Sequence, residues 1–159
     1  MLVIGVMLAA FVDIRTRRIP NAVTAPMSAL GIALAALGSD DQSLGAAVLG
    51  LALGLLLMLP GYALGATGAG DVKLLAAVGA LLGPAGVVVA FVWTAIAGGG
   101  LAVATALYRR RLTATLAGTG RLLTSPADAR QTIAATAASS RFAYGPAIAI
   151  GSIVAAMSM

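Results

Sequence analysis

The acid–base inventory of this sequence is short. Its acidic side chains are Asp13, Asp40, Asp41, Asp71 and Asp128, and it holds neither histidine nor cysteine. Without cysteine there are no disulfides, no thiolate catalysis and no Cys-based zinc sites. Without histidine the usual general base and the commonest metal ligand are gone. Acid–base chemistry must then come from the aspartates, helped by Lys73, hydroxyls and water. Asp13 and Asp71 stand out because each adjoins a long apolar run. An aspartate at the centre of a membrane span costs about 2.5–3.5 kcal/mol, and less at its end. Taken singly, each reads as a solvated boundary residue. Taken together, two carboxylates that converge can share a proton, and their repulsion splits the pair's titration into two steps. The ionised member can activate water while the protonated one donates to a scissile carbonyl. That is aspartic-protease chemistry, and it needs no cofactor and no metal.

The surroundings of both aspartates fit such a site. Asp71 ends the run Thr67-Gly68-Ala69-Gly70-Asp71 and is followed by Val72 and Lys73. Gly68 and Gly70 allow a tight turn and a close approach to a partner segment. An aspartate opening a helix also meets the positive end of its dipole. Asp13 precedes Ile14-Arg15-Thr16-Arg17-Arg18-Ile19-Pro20-Asn21. Pro20 suits the first turn of a following helix, and Asn21 can cap that helix or hydrogen-bond near the site. Lys73 could bias Asp71, but residues two apart do not share a helix face, so snorkelling to the interface is the expected role. Arg15, Arg17 and Arg18 could receive an acidic substrate residue, although topology alone accounts for them.

The elements that must position these residues follow from composition. The chain has 159 residues, of which 60% are hydrophobic and 9% charged, with a mean hydropathy of +1.03. Soluble domains carry about 25% charged residues, so lipid is the solvent that suits this chain. The expected fold is all-α: one membrane-embedded domain over residues 1–159 with about six transmembrane helices. The apolar runs are 1–12, 22–38, 44–62, 72–83, 85–108 and 142–159. Runs one and four are short against the roughly 17–25 residues a span needs. The first helix is therefore expected to start upstream or to run past Asp13, and the fourth to be tilted or shielded. No basic region precedes the first apolar run, so no secretory signal peptide is expected.

Charge sets the orientation. With Arg15, Arg17 and Arg18 in the cytoplasm, all ten Lys and Arg residues fall inside or at the inner boundary, and the outer loops carry only Asp40 and Asp41. The chain is then N-out and C-out, with Asp13 and Asp71 on the same, cytoplasmic, side. The net charge of +5 reflects these topology signals, and no nucleic-acid partner is expected. The polar stretch 109–141 reads as a basic surface linker on anionic inner-leaflet lipid. Gly50/Gly54 and Gly79/Gly83 allow close helix approach. They would build either a homo-dimer seam or packing within one bundle, and the second is expected in so Gly- and Ala-rich a chain.

The segment Asp13-Ile14-Arg15-Thr16-Arg17-Arg18-Ile19-Pro20-Asn21 resembles the Asp-x-x-x-x-x-Ile-Pro-Asn signature of type IV prepilin peptidases. Gly68-Ala69-Gly70-Asp71-Val72-Lys73 resembles their Gly-x-Gly-Asp-x-Lys (GxGD) signature, and Tyr144-Gly145-Pro146-Ala147 resembles the stretch that opens the family's last helix. The resemblance covers nearly the whole chain, and the two aspartate motifs together are specific. It implies that Asp13 and Asp71 are the catalytic pair of a multi-pass enzyme of the bacterial inner (cytoplasmic) membrane. It implies prepilin and pseudopilin substrates, cut at the cytoplasmic face just before their hydrophobic segment. Larger family members carry a cysteine-paired cytoplasmic domain and N-methylate the new terminus. This chain resembles the short, peptidase-only forms of Flp/Tad-type pili, so methylation is not expected. Two other classes compete with this one. A non-catalytic pilus-assembly factor would not need both aspartates and both glycines. A small proton-coupled transporter would place its aspartates near the midplane of full-length spans, not at helix ends.

Overall fold

The computed structural model describes residues 2–16, 19–38, 42–108 and 144–158. Its elements are α1 (Leu2–Thr16), α2 (Asn21–Ala36), α3 (Leu44–Ala63), α4 (Ala69–Tyr108) and α5 (Gly145–Ser158), and no strand occurs among the described residues. The polar stretch 109–141, the pair Arg17 and Arg18, and Asp40 and Asp41 lie outside the described residues. Two helical stretches, Leu44–Ala63 and Ala69–Leu101, are long and apolar enough to cross a membrane; Asn21–Ala36 and Gly145–Ser158 are shorter apolar helices.

Most helix limits have a local cause. Helix α1 runs past Asp13 to Thr16, one of the two expected outcomes for a short first run. Pro20 occupies the N-cap position of α2, one residue earlier than expected, with extended backbone and its carbonyl accepting from Val23 N–H at 3.0 Å. Asn21 is therefore the first helical residue and not the cap. Ser43 caps α3, its hydroxyl accepting from Ala46 N–H at 3.2 Å. The α3–α4 turn closes on Gly65, at φ +75°, with Ala66 N–H donating to Gly61 O at 2.9 Å.

Helix α4 is continuous except at Gly83, whose φ of 73° and ψ of −175° divide it into halves 69–82 and 84–108. This is the break expected between the fourth and fifth runs, and only glycine enters that region without strain. Pro84 enforces it: its ring nitrogen has no proton to give Ala80 O, four residues earlier. Gln42, from the α2–α3 connection, supplies the missing donor through Nε2 at 3.2 Å.

The first half of α4 is the centre of the molecule. Leu74, Leu75 and Val78 are fully buried, as are Val6 and Ala9 of α1, Val87 and Ala90 of the second half, and Ile148 of α5. Helix α4 packs on α3, α5 and α2, while α1 lies chiefly against α5. A short helix apolar on every side is a buried one, so neighbours shield the short fourth run. The four-residue glycine pairs make this possible. Gly50 lies against the backbone of Gly79 and Gly83, and Gly54 against Leu75 and Ala76, so both pairs are used between α3 and α4 of one chain. The outer faces are apolar instead: Ile4, Met7, Leu8, Phe11 and Ile14 on α1, and Leu49, Leu56 and Leu59 on α3, are exposed.

A Cβ at residue 54 would fall 2.6 Å from Leu75 O, whereas residue 99 has open space around it. Gly54→Ala is expected to destabilise the bundle by about 1–3 kcal/mol through overpacking. Gly99→Ala should be neutral or stabilise by up to about 1 kcal/mol. Detergent unfolding followed by helical circular dichroism checks both.

Candidate active site

Asp71 lies in the first turn of α4, and its conformation is fixed locally. Gly68 stands at the helix N-cap, with its carbonyl accepting from Asp71 N–H at 3.1 Å and Val72 N–H at 3.3 Å. The Asp71 carboxylate reaches back, Oδ2 accepting from Gly68 N–H at 2.8 Å. This is the returning half of a capping box, with aspartate at its third position. One orphan helix donor is satisfied, and one carboxylate oxygen is pinned.

Asp13 lies near the C-terminal end of α1, and distant chain holds it. Its Oδ2 accepts from Gly145 N–H, the first residue of α5 and 132 positions away, at 2.9 Å. Both carboxylates therefore meet the N-terminus of a helix, Asp71 that of its own and Asp13 that of α5, where free N–H groups and the dipole suit an anion. Asp13 is 5% and Asp71 8% exposed. The two carboxylates lie within electrostatic reach of each other, and Tyr144 lies within reach of Asp71. A carboxylate held through one oxygen keeps the second for water or a peptide oxygen.

Between them is a cleft of about 300 Å³ lined by Asp13, Ile19, Asn21, Gly68, Ala69, Gly70, Asp71 and Lys73. Gly70 lets the α1–α2 connection close over the start of α4, because a Cβ there would lie 2.9 Å from Ile19 Cβ. Lys73 is exposed, and its Nζ donates to Asn21 Oδ1 at 3.0 Å, which ties α4 to the start of α2. Lys73 and Asn21 thus meet each other at the rim of the cleft. Six of the seven candidate residues, Asp13, Asp71, Gly68, Gly70, Lys73 and Asn21, line this one cleft, and Pro20 stands just outside it. Arg15 stacks over the Phe11 ring at 4.9 Å.

Two further residues, Tyr144 and Gly145, meet the site from the start of α5. Gly145 stands so close to Asp13 that a Cβ would lie 2.8 Å from Oδ2. Tyr144 precedes it and sets its hydroxyl against Gly98 in the second half of α4. The Gly-Pro pair opening α5 marks a helix start, but nothing local says what its first N–H meets. Thr67 Oγ1 is buried beside Gly61 and has no hydrogen-bond partner among the described residues.

Compared with known proteins, residues 1–103 match the model of the type IV leader peptidase family, a family of membrane-associated peptidases. Searches of curated proteins and of solved structures returned no significant match.

If the Gly145 N–H positions Asp13, the group added in Gly145→Ala must displace that carboxylate. Peptidase activity is expected to fall by about 10²-fold, the cost of a shift on the order of 1 Å in a reacting group. Equal membrane levels of variant and wild type, measured by immunoblot, separate this from loss of fold.

Proposed function

This chain belongs to the type IV leader peptidase family, and from that premise we propose that it is a membrane aspartic endopeptidase that removes the leader of Flp/Tad-like prepilins and pseudopilins. The observation that carries the reading is the single cleft lined by two buried aspartates, each pinned by one backbone N–H. In the reaction the ionised aspartate takes a proton from the water as its oxygen attacks the scissile carbonyl carbon. The protonated aspartate gives its proton to the carbonyl oxygen, forming a gem-diol. On collapse the first aspartate passes its proton to the leaving nitrogen. The second takes one back from a diol hydroxyl, so the carbonyl re-forms and the pair again holds one proton. Gly68 and Gly70 shape the cleft, while Lys73 and Asn21 form its rim. Pro20 fixes the chain that leads into it.

The same reading places the enzyme in the bacterial inner membrane as six spans, N-out and C-out, with the cleft at the cytoplasmic face. The distribution of Lys and Arg along the chain supports the orientation. The exposed apolar faces of α1 and α3 support contact with lipid.

The deciding measurement is mass spectrometry of the N-terminus of a co-expressed Flp-type prepilin. Wild type is expected to trim the leader, while Asp13→Asn and Asp71→Asn, at equal membrane levels, lose at least about 10³-fold in rate. Trimming at wild-type rate by either variant would remove that residue from the mechanism. Orientation is tested separately, because the chain has no native cysteine. A membrane-impermeant thiol reagent should label Leu37→Cys from the outside and Ala66→Cys only after the cytoplasmic face is opened. The reverse pattern overturns the topology.

A further inference from the structure

Beside the catalytic cleft lies a larger one that the chemistry above does not use. It holds about 420 Å³ and is lined by Asn21, Thr24, Ala25 and Ser28 of α2, Leu51 and Leu55 of α3, and Lys73 and Ala76 of α4. The lining residues fall at i, i+3, i+4, i+7 on α2, at i, i+4 on α3 and at i, i+3 on α4. Each helix thus presents one stripe, and the space is a groove running along the helices. It exists because α2 and α3 both pack on α4 and scarcely on each other. Over the α2 stripe its length is about 10 Å, nearly two helical turns.

Three features say what fits. The groove is open and mostly apolar, with Thr24 buried and the Ser28 hydroxyl turned back onto Thr24 O at 3.0 Å, so neither offers a strong polar anchor. Its α2 wall and floor are small residues, Ala25, Ser28 and Ala76, the kind that let a further helix approach in lipid. Its end is continuous with the catalytic cleft: Asn21 and Lys73, joined by their hydrogen bond, line both. A segment arriving through lipid must satisfy its backbone internally and so arrives as a helix. A chain whose extended scissile bond lies between Asp13 and Asp71 and whose flanking segment is an apolar helix would fill both spaces.

Resting on the peptidase reading, we propose that the groove between α2, α3 and α4 seats the first two turns of the substrate's apolar helix, with the Lys73–Asn21 bridge marking where that helix unwinds into the cleft. The groove then selects substrates by the apolar segment beside the cut, independently of the residues at the scissile bond.

The test uses the full chain with single cysteines and a Flp-type prepilin carrying single cysteines through the first two turns of its apolar segment. Ser28→Cys and Leu55→Cys are expected to form disulfides with the prepilin under mild oxidation, at least fivefold more than Leu49→Cys and Leu56→Cys on the outer face of α3. Ala25→Trp, which projects into the groove from an exposed position, is expected to raise KM for the prepilin about tenfold with a much smaller change in kcat. Leader cleavage by the cysteine-free wild type is read in parallel by mass spectrometry. Cleavage with equal crosslinking at all four positions overturns the groove and leaves the peptidase standing. Crosslinks between two copies of the enzyme at Ser28 or Leu55, in place of prepilin crosslinks, assign the groove to a second copy and overturn it. A normal KM for Ala25→Trp likewise overturns it. Failure of the wild type to cut the prepilin removes the peptidase reading, and this proposal with it.

Discussion

A carboxylate taken out of water must find hydrogen-bond donors, and this requirement ties the molecule together. Burying an unpaired charge costs several kcal/mol, and two aspartates are buried here within reach of each other. Among the described residues neither is matched to a cation. Each is met by the backbone N–H of a glycine at a helix start, Gly68 at α4 and Gly145 at α5. A helix N-terminus has free N–H groups in any case, so one contact satisfies two needs. The Asp13 contact also ties the end of α1 to the start of α5, 132 residues away, while the Asp71 contact is local to the start of α4.

The first half of α4 is enclosed on nearly every side, which side chains of ordinary size would prevent. Gly50, Gly54 and Gly79 let α3 lie directly on the α4 backbone, and Gly31 does the same for α2 against Ala80. In lipid, helix association rests on such close packing and not on apolar transfer. The break at Gly83–Pro84 lets one long apolar run serve as two packed segments. The orphaned carbonyl it creates at Ala80 is met by Gln42. The first half of α4 can then be short because it faces its neighbours, while the longer helices carry the apolar outer faces.

The cleft and the groove follow from the same packing. Helix α4 is the common floor, α2 and α3 diverge over it, and the connection through Ile19 and Pro20 closes over Gly70. Asn21 and Lys73 sit where the two spaces join, which gives a polar contact at the rim a structural purpose without making it part of the proton transfers.

The sequence by itself determined the residue types of the proposed chemistry, since a chain with no histidine or cysteine leaves aspartate as its acid and base. It also determined the helical class, the position of the Gly83–Pro84 break and the motifs around Asp13 and Asp71. These are local matters, set by composition, apolar run length and the backbone limits of glycine and proline. It misplaced the Pro20 cap by one residue, because cap and first turn differ only in backbone angles that proline tolerates in both. Tertiary structure alone decided that Gly145 N–H meets Asp13, that Gln42 completes Ala80, that Lys73 reaches Asn21, and that the glycine pairs join α3 to α4 within one chain. Each joins residues far apart in sequence, and such contacts depend on how helices cross, which no local pattern encodes.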